Sequence, residues 1–174
     1  MEARLENARI PIQVDIGFGD AVTPGPEEVQ FPVLLDLPAP RLRSYPVYTV
    51  IAEKLEAMVL LGEANSRMKD FYDVGFMSLR FEFDGQTLVE AVRATFDRRK
   101  TRLPEVIPVA LTEEFAAAKT PQWNAFSRRN NLPAEPFTAV VSAIQLFAGP
   151  PLLASDGEGR FLRYWSAGAW RSQS

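Results

Sequence analysis

Three places in the 174-residue chain set ionisable side chains where they could do chemistry. Asp15 lies in QVDIGFGD, between apolar neighbours. Lys54 lies in AEKLEA, with Glu53 and Glu56 beside it. Arg67, Lys69, Asp70 and Asp73 crowd the run NSRMKDFYD. A carboxylate on the open face of a sheet suits a hard cation such as Mg²⁺. A lysine on a covering helix suits neutralising a triphosphate as a compact point charge. A second helix could hold that lysine through Asp70 or bring Asp70 to the same pocket. Composition narrows the choice further. The chain has no Cys, which removes disulfides, thiolate nucleophiles and Cys-ligated metals. It has no His, which removes serine-type triads, His-ligated zinc and imidazole acid–base catalysis. What remains is Asp, Glu, Lys, Arg, Ser and Tyr chemistry, for which carboxylate-held Mg²⁺ acting on phosphates is the natural use.

Spacing alone leaves other readings open. Asp15 also fits a solvated outward position on a half-exposed strand, and Lys54 with its glutamates fits a charged helix face. Lys69 with Asp73 and Arg67 with Asp70 fit pairs one helical turn apart. Two basic clusters, Arg98-Arg99-Lys100-Arg102 and Arg128-Arg129, fit backbone contacts to a nucleic acid. They equally fit cations gathered at helix C-termini by the macrodipole. The formal net charge of -3 gives no global basic footprint.

The elements that must position these residues follow from periodicity. Ile10, Ile12, Val14, Ile16 and Phe18 alternate with polar or small residues, predicting a strand over 9–18 that points Asp15 away from its apolar face. Pro11 marks its start or an edge position. Residues 19–28 read as a loop, and FPVLLDL over 31–37 as a second strand. The pattern then turns helical. Val50, Leu55, Met58 and Leu61 predict a helix over 49–61 stopped by Gly62. A second helix starts near Ser66 and runs to about Leu79, with Met68, Tyr72, Phe76 and Leu79 as its stripe. Asp84-Gly85 reads as a turn, and 87–99 as a third helix through Leu88, Val92 and Phe96. Thr112 caps a fourth, broken at Pro121, and 137–147 makes a fifth that ends at Gly149-Pro150-Pro151. Residues 151–174 read as a tail with scattered aromatics.

At this length one domain of roughly 100–200 residues is expected. The mixed-charge N-terminus is unlike a secretory signal, and no apolar run reaches the ~20 residues of a membrane-spanning helix, so a cytoplasmic protein without membrane association is expected. Two strands make a sheet that is marginal alone, so the β part looks unfinished.

The run YPVYTVIAEKLEAMVLLGEANSRMKDFYDVGFMSLRF resembles the AbiEii/AbiGii nucleotidyltransferase family, toxins of type IV toxin–antitoxin and phage abortive-infection systems. IQVDIGFGDAVTP upstream and AVRATFDRRKTRLP and QWNAF downstream extend the resemblance over about residues 9–150. The most specific part is AEKL followed by R-x-K-D-x-Y-D. The resemblance implies an α+β chain: the short β part of a DNA polymerase β-like nucleotidyltransferase fold, then a helical C-terminal part of about five helices. It divides the chain into 1–48 with a partial sheet, 49–150 with the helices, and the 151–174 tail. It implies nucleotide transfer from an NTP, with Mg²⁺, to a tRNA or other RNA acceptor, and a cognate antitoxin as partner. By the same resemblance Asp15 is the third metal-binding strand carboxylate, Lys54 the nucleotide-contacting lysine and Asp70 the C-terminal active-site aspartate. Arg67 and Lys69 join Lys54 at the nucleotide, and Arg98, Arg99, Lys100 and Arg102 meet the acceptor. Asp15, Lys54 and Asp70 are expected around one cleft. Two family features have no match. There is no Gly-Ser dipeptide, and the acidic pair Glu82 and Asp84 follows the lysine motif instead of preceding the Asp15 strand. The chain is therefore expected to be the C-terminal portion of such an enzyme, with little transfer activity by itself. The alternative is a non-catalytic module that binds an antitoxin or nucleic acid.

Overall fold

The computed structural model describes residues 2–5, 8–11, 19–133, 135–155, 157 and 159–172. The chain is mixed α+β, as the sequence predicts. Its described elements are β1 (Glu2–Leu5), β2 (Ala8–Pro11), β3 (Glu27–Gln30), β4 (Arg41–Ser44), α1 (Val47–Leu61), α2 (Met68–Arg80), β5 (Phe83–Asp84), α3 (Gly85–Arg99), α4 (Glu113–Arg129), α5 (Phe137–Ala154), β6 (Arg163–Ser166) and β7 (Ala169–Ser172). The strands form antiparallel pairs β1–β2 and β3–β4 and a small antiparallel sheet β5–β6–β7.

The helices enclose the core. α1 packs chiefly on α3, while α2 and α4 pack on α5. Ile51, Leu55, Phe71, Leu88, Val92, Phe96, Ile144 and Phe147 are fully buried between them, each contributing about 1.5–3 kcal/mol relative to exposure. Local chemistry sets the ends. Gly62 terminates α1 at φ 49°, a left-handed conformation that costs glycine nothing, with its N–H on Met58 O. Asp84 caps α3 by accepting from Thr87 N at 2.8 Å, and Thr112 caps α4 by accepting from Phe115 N at 3.3 Å.

Several elements depart from the periodicity reading. Residues 12–18, most of the expected first strand and Asp15 with it, lie outside the described residues. The apolar run 31–37 is no strand; it is the turn joining β3 to β4, with Leu34 fully exposed. Pro32, Pro38 and Pro40 deny that stretch ladder donors, and the strands form instead from the polar flanks EEVQ and RLRS. α2 begins at Met68, not Ser66, because Asn65 Oδ1 takes the Arg67 N–H at 2.8 Å. Its buried face is Phe71, Val74, Gly75 and Ser78, while Phe76 and Leu79 stand exposed beside a small apolar groove. Gly75 permits this rotation: a Cβ there would lie 3.3 Å from Val140 on α5. Asp84-Gly85 is not a free turn but the junction of β5 and α3.

Both expected proline breaks fail to appear. α4 runs unbroken through Pro121, its buried Phe115, Ala116 and Trp123 holding the two halves in line. α5 continues through Gly149-Pro150-Pro151 to Ala154, where Ala148, Gly149, Pro151 and Leu152 are buried. At 18 residues and mean hydropathy 1.6, α5 is long and apolar enough to cross a membrane by composition. Here its apolar face packs into the bundle. The final segment is ordered by its aromatics. Trp165 donates to Ser78 O at 2.6 Å and Trp170 to Phe147 O at 2.8 Å, which seats the β6–β7 hairpin on α2 and α5.

Candidate functional site

α1 carries charge on two flanks. Glu53 and Glu56 are three residues apart and share one side of the helix, while Lys54 leaves from another. The glutamate side meets the end of α3. Glu56, only 2% exposed, accepts from Arg99 Nη1 at 2.8 Å and from the Thr101 hydroxyl, and Glu53 lies 3.3 Å from Arg99 Nη2. Burial pulls the Arg99 pKa down, but the hydrogen bond to Glu56 and the charges of Glu53 and Glu56 outweigh it and hold it above its ordinary value.

The Lys54 side meets the first turns of α2. Lys54 Nζ lies 2.8 Å from Asp70 Oδ1 and 2.8 Å from Asp73 Oδ2, so two of its three donors are engaged. The lysine side chain is 16% exposed and Asp70 is 5% exposed. Asp70 and Asp73 reach one point because residues three apart on a helix share a face. Asp70 also occupies the first turn of α2, where the macrodipole favours an anion. Lys69 Nζ shares Asp73 Oδ2 at 2.5 Å. Arg67 Nε stands 2.7 Å from Asp70 Oδ2, near enough to attract as a charge although no aligned hydrogen bond forms. Burial would lower the Lys54 pKa, yet hydrogen bonds and charges from Asp70 and Asp73 raise it above its ordinary value. Burial likewise opposes ionisation of Asp73, but Lys54 and Lys69 hold its pKa below the usual carboxylate value. The result is a lysine locked in its ammonium form at a half-buried position, in a cluster of three cations, Lys54, Arg67 and Lys69, and two carboxylates, Asp70 and Asp73. Such an arrangement can receive an anion without any proton transfer.

Beside this cluster, between the start of α2 and α4, opens a cleft of about 520 Å³ walled by Arg67, Lys69, Asp70, Gln122, Phe126 and Arg129. Asp70 belongs to both, with Oδ1 on Lys54 and the residue lining the cleft.

Of the residues singled out from sequence, Lys54, Arg67, Lys69 and Asp70 come together. Asp15 lies outside the described residues. The four cations at the end of α3 have separate local partners. Arg98 donates to Gly19 O, Arg99 is tied to Glu56, Lys100 pairs with Asp97 at 3.1 Å, and Arg102 pairs with Glu105. Two features escaped the sequence reading. Asp73 is the second anchor of Lys54, a role its spacing from Asp70 would have revealed. The α4 wall of the cleft was signalled only in pieces, Arg129 in a basic cluster and Gln122 and Phe126 within QWNAF, because which residues of α4 face α2 is decided by tertiary packing. Among the described residues no three metal-ligating side chains converge. Asp70 and Asp73 each already have an oxygen on Lys54, so these residues do not fit a Mg²⁺ site and no step is assigned to a metal here.

The lysine motif and the R-x-K-D-x-Y-D run therefore meet in three dimensions. A family model described as nucleotidyl transferase AbiEii toxin, type IV TA system, matches residues 1–143, and the chain belongs to this family. The match takes in both faces of the Lys54 cluster and the whole of α4. No curated protein and no solved structure matches the chain.

Proposed function

We propose that this chain supplies the helical half of a nucleotidyl-transfer site in a type IV toxin, with Lys54 as the contact to the nucleotide phosphates and an RNA as acceptor. The observation that carries this reading is the ammonium of Lys54, held charged and aimed by Asp70 and Asp73 at 2.8 Å each. A point charge fixed in a half-buried place binds phosphate more strongly than a solvated surface lysine, because less water screens it. Arg67 and Lys69 add cations on the approach, and Asp70 and Asp73 are the residues that position Lys54. Mg²⁺, expected from the family, would rest on carboxylates other than these two, Asp15 among them. Transfer also calls for backbone donors that orient the triphosphate, which the family draws from a Gly-Ser turn. We therefore expect the chain to need that turn and a D-x-D pair supplied with it. A cognate antitoxin follows from the type IV family.

The test incubates the purified chain with radiolabelled NTPs, Mg²⁺ and total RNA, with and without an N-terminal segment bearing Gly-Ser and D-x-D fused in cis. Labelling only with the segment present, and lost in Lys54→Ala or Asp15→Ala, is the expected outcome. Robust labelling by the chain alone, or labelling indifferent to Lys54, overturns the reading.

A further inference from the structure

We infer that the α2–α4 cleft is a binding site for a single-stranded polynucleotide, with a base stacked on Phe126 and a backbone phosphate on Arg129. The inference rests on the function proposed above only for its purpose, since the site is argued from the cleft itself. Gln122, Phe126 and Arg129 recur at four and three residues along α4, so they form one stripe facing the start of α2. The Phe126 ring is held by two neighbouring rings. Its centroid lies 5.8 Å from that of Trp123 and 6.2 Å from that of Tyr72, both tilted contacts. An aromatic ring held in this way and lining an open cleft offers a platform that accepts any base, because every base has a π-face.

The polar groups of the cleft match the rest of a strand. Among the described residues, neither Gln122 nor Arg129 has a side-chain hydrogen bond or ion pair within the protein, so both are available to a ligand. Cations on the cleft wall outnumber carboxylates, with Arg67, Lys69 and Arg129 against Asp70. A guanidinium beside an aromatic ring is the pairing that takes successive phosphate and base of a single strand. A duplex keeps its bases stacked inside and gives Phe126 nothing to hold. Asp70 both lines this cleft and holds Lys54 Nζ at 2.8 Å, which places the lysine one residue behind the cleft wall. RNA and DNA share this chemistry, and the experiment separates them.

The measurement is fluorescence anisotropy of the full chain with labelled oligoadenylate, its deoxy counterpart and the corresponding duplex, over a salt series. The RNA strand is expected to bind best and the duplex worst. Arg129→Gln should weaken single-strand binding roughly 5–10-fold and lower the salt slope by about one. Phe126→Leu should weaken it roughly 5-fold without changing the slope. Arg41→Gln, an exposed arginine on β4, should change nothing. Thermal unfolding accompanies each variant, and exposed Arg129 carries the test if Phe126→Leu does not fold. The inference is overturned by absence of binding, by wild-type affinity in Arg129→Gln, or by an equal loss in Arg41→Gln. A tighter grip on DNA than on RNA keeps the cleft but overturns its place in an RNA-modifying site. Nucleotide binding by Lys54→Met, measured in parallel, separates the two proposals. Unchanged nucleotide binding there defeats the function proposed above and leaves the cleft standing, while unchanged strand binding in the cleft variants does the reverse.

Discussion

The two charged flanks of α1 are built from the same residue types and end in opposite states. On one, Glu53 and Glu56 outnumber their single cation, Arg99, and the buried Glu56 carboxylate is closed off by Arg99 and Thr101. On the other, Lys54, Arg67 and Lys69 outnumber Asp70 and Asp73, and the cluster borders an open cleft. The first is a lock between α1 and α3. The second holds surplus positive charge at a solvent-accessible wall, which a purely structural ion-pair network has no need to do. Stability and binding should therefore separate across one helix.

The largest expected effect tests the lock. Arg99→Met strands Glu56 at 2% exposure with only the Thr101 hydroxyl. The expected loss is about 3 kcal/mol in urea unfolding, at the low end for a broken buried pair because Arg99 itself is partly exposed. Lys54→Met should cost less, about 1 kcal/mol, since Asp70 keeps Arg67 and Asp73 keeps Lys69 nearby. Equal losses in the two variants would erase the distinction between the flanks.

Acid and alkali give a finer test of the Lys54 side. Asp73 has its folded pKa below the ordinary 3.8, so its contribution is present above that value and is lost as pH falls through the lower folded one. Asp73→Asn should flatten the acid limb of stability below about pH 4. Lys54 has its folded pKa above the ordinary 10.5. Its contribution is complete below that value and disappears as pH rises through the folded one, so Lys54→Met should lose the drop beyond it. Stability–pH curves of the three proteins check both signs. The smallest effect belongs to Lys100, whose pair with Asp97 leaves both side chains at least 80% exposed. Lys100→Ala should change stability by less than about 0.5 kcal/mol.

How much of this was legible in the sequence depends on what decided each element. α1 and α3 could be read because Leu55, Met58, Leu88, Val92 and Phe96 recur at helical spacing and Gly62 stops the first, although Leu61 proves exposed and Asp84, read as a turn, is the cap of the second. α2 was placed correctly but turned wrongly, because Phe76 and Leu79 look like core while the contact with α5 is made through Gly75 and Ser78. Pro121 and Pro150 looked like breaks, but tertiary burial outweighed the missing donors. The 31–37 turn looked like a strand because its residues are apolar, although its prolines forbid a ladder. The lysine motif and R-x-K-D-x-Y-D carried the site, since helix periodicity alone brings Asp70 and Asp73 to one face. Their meeting with Lys54, and the α4 wall opposite, depend on packing that no local pattern records.

Contact between the Lys54 ammonium and nucleotide phosphate is decided by isothermal titration of each NTP into the full chain and into Lys54→Met and Arg99→Met. The wild-type chain is expected to bind a nucleotide, and Lys54→Met to weaken binding by tenfold or more, equivalent to about 1.4 kcal/mol. Arg99→Met, titrated where it remains folded, is expected to keep wild-type affinity. Nucleotide binding that is absent from the wild-type chain, or equal with and without the Lys54 amine, would contradict that contact.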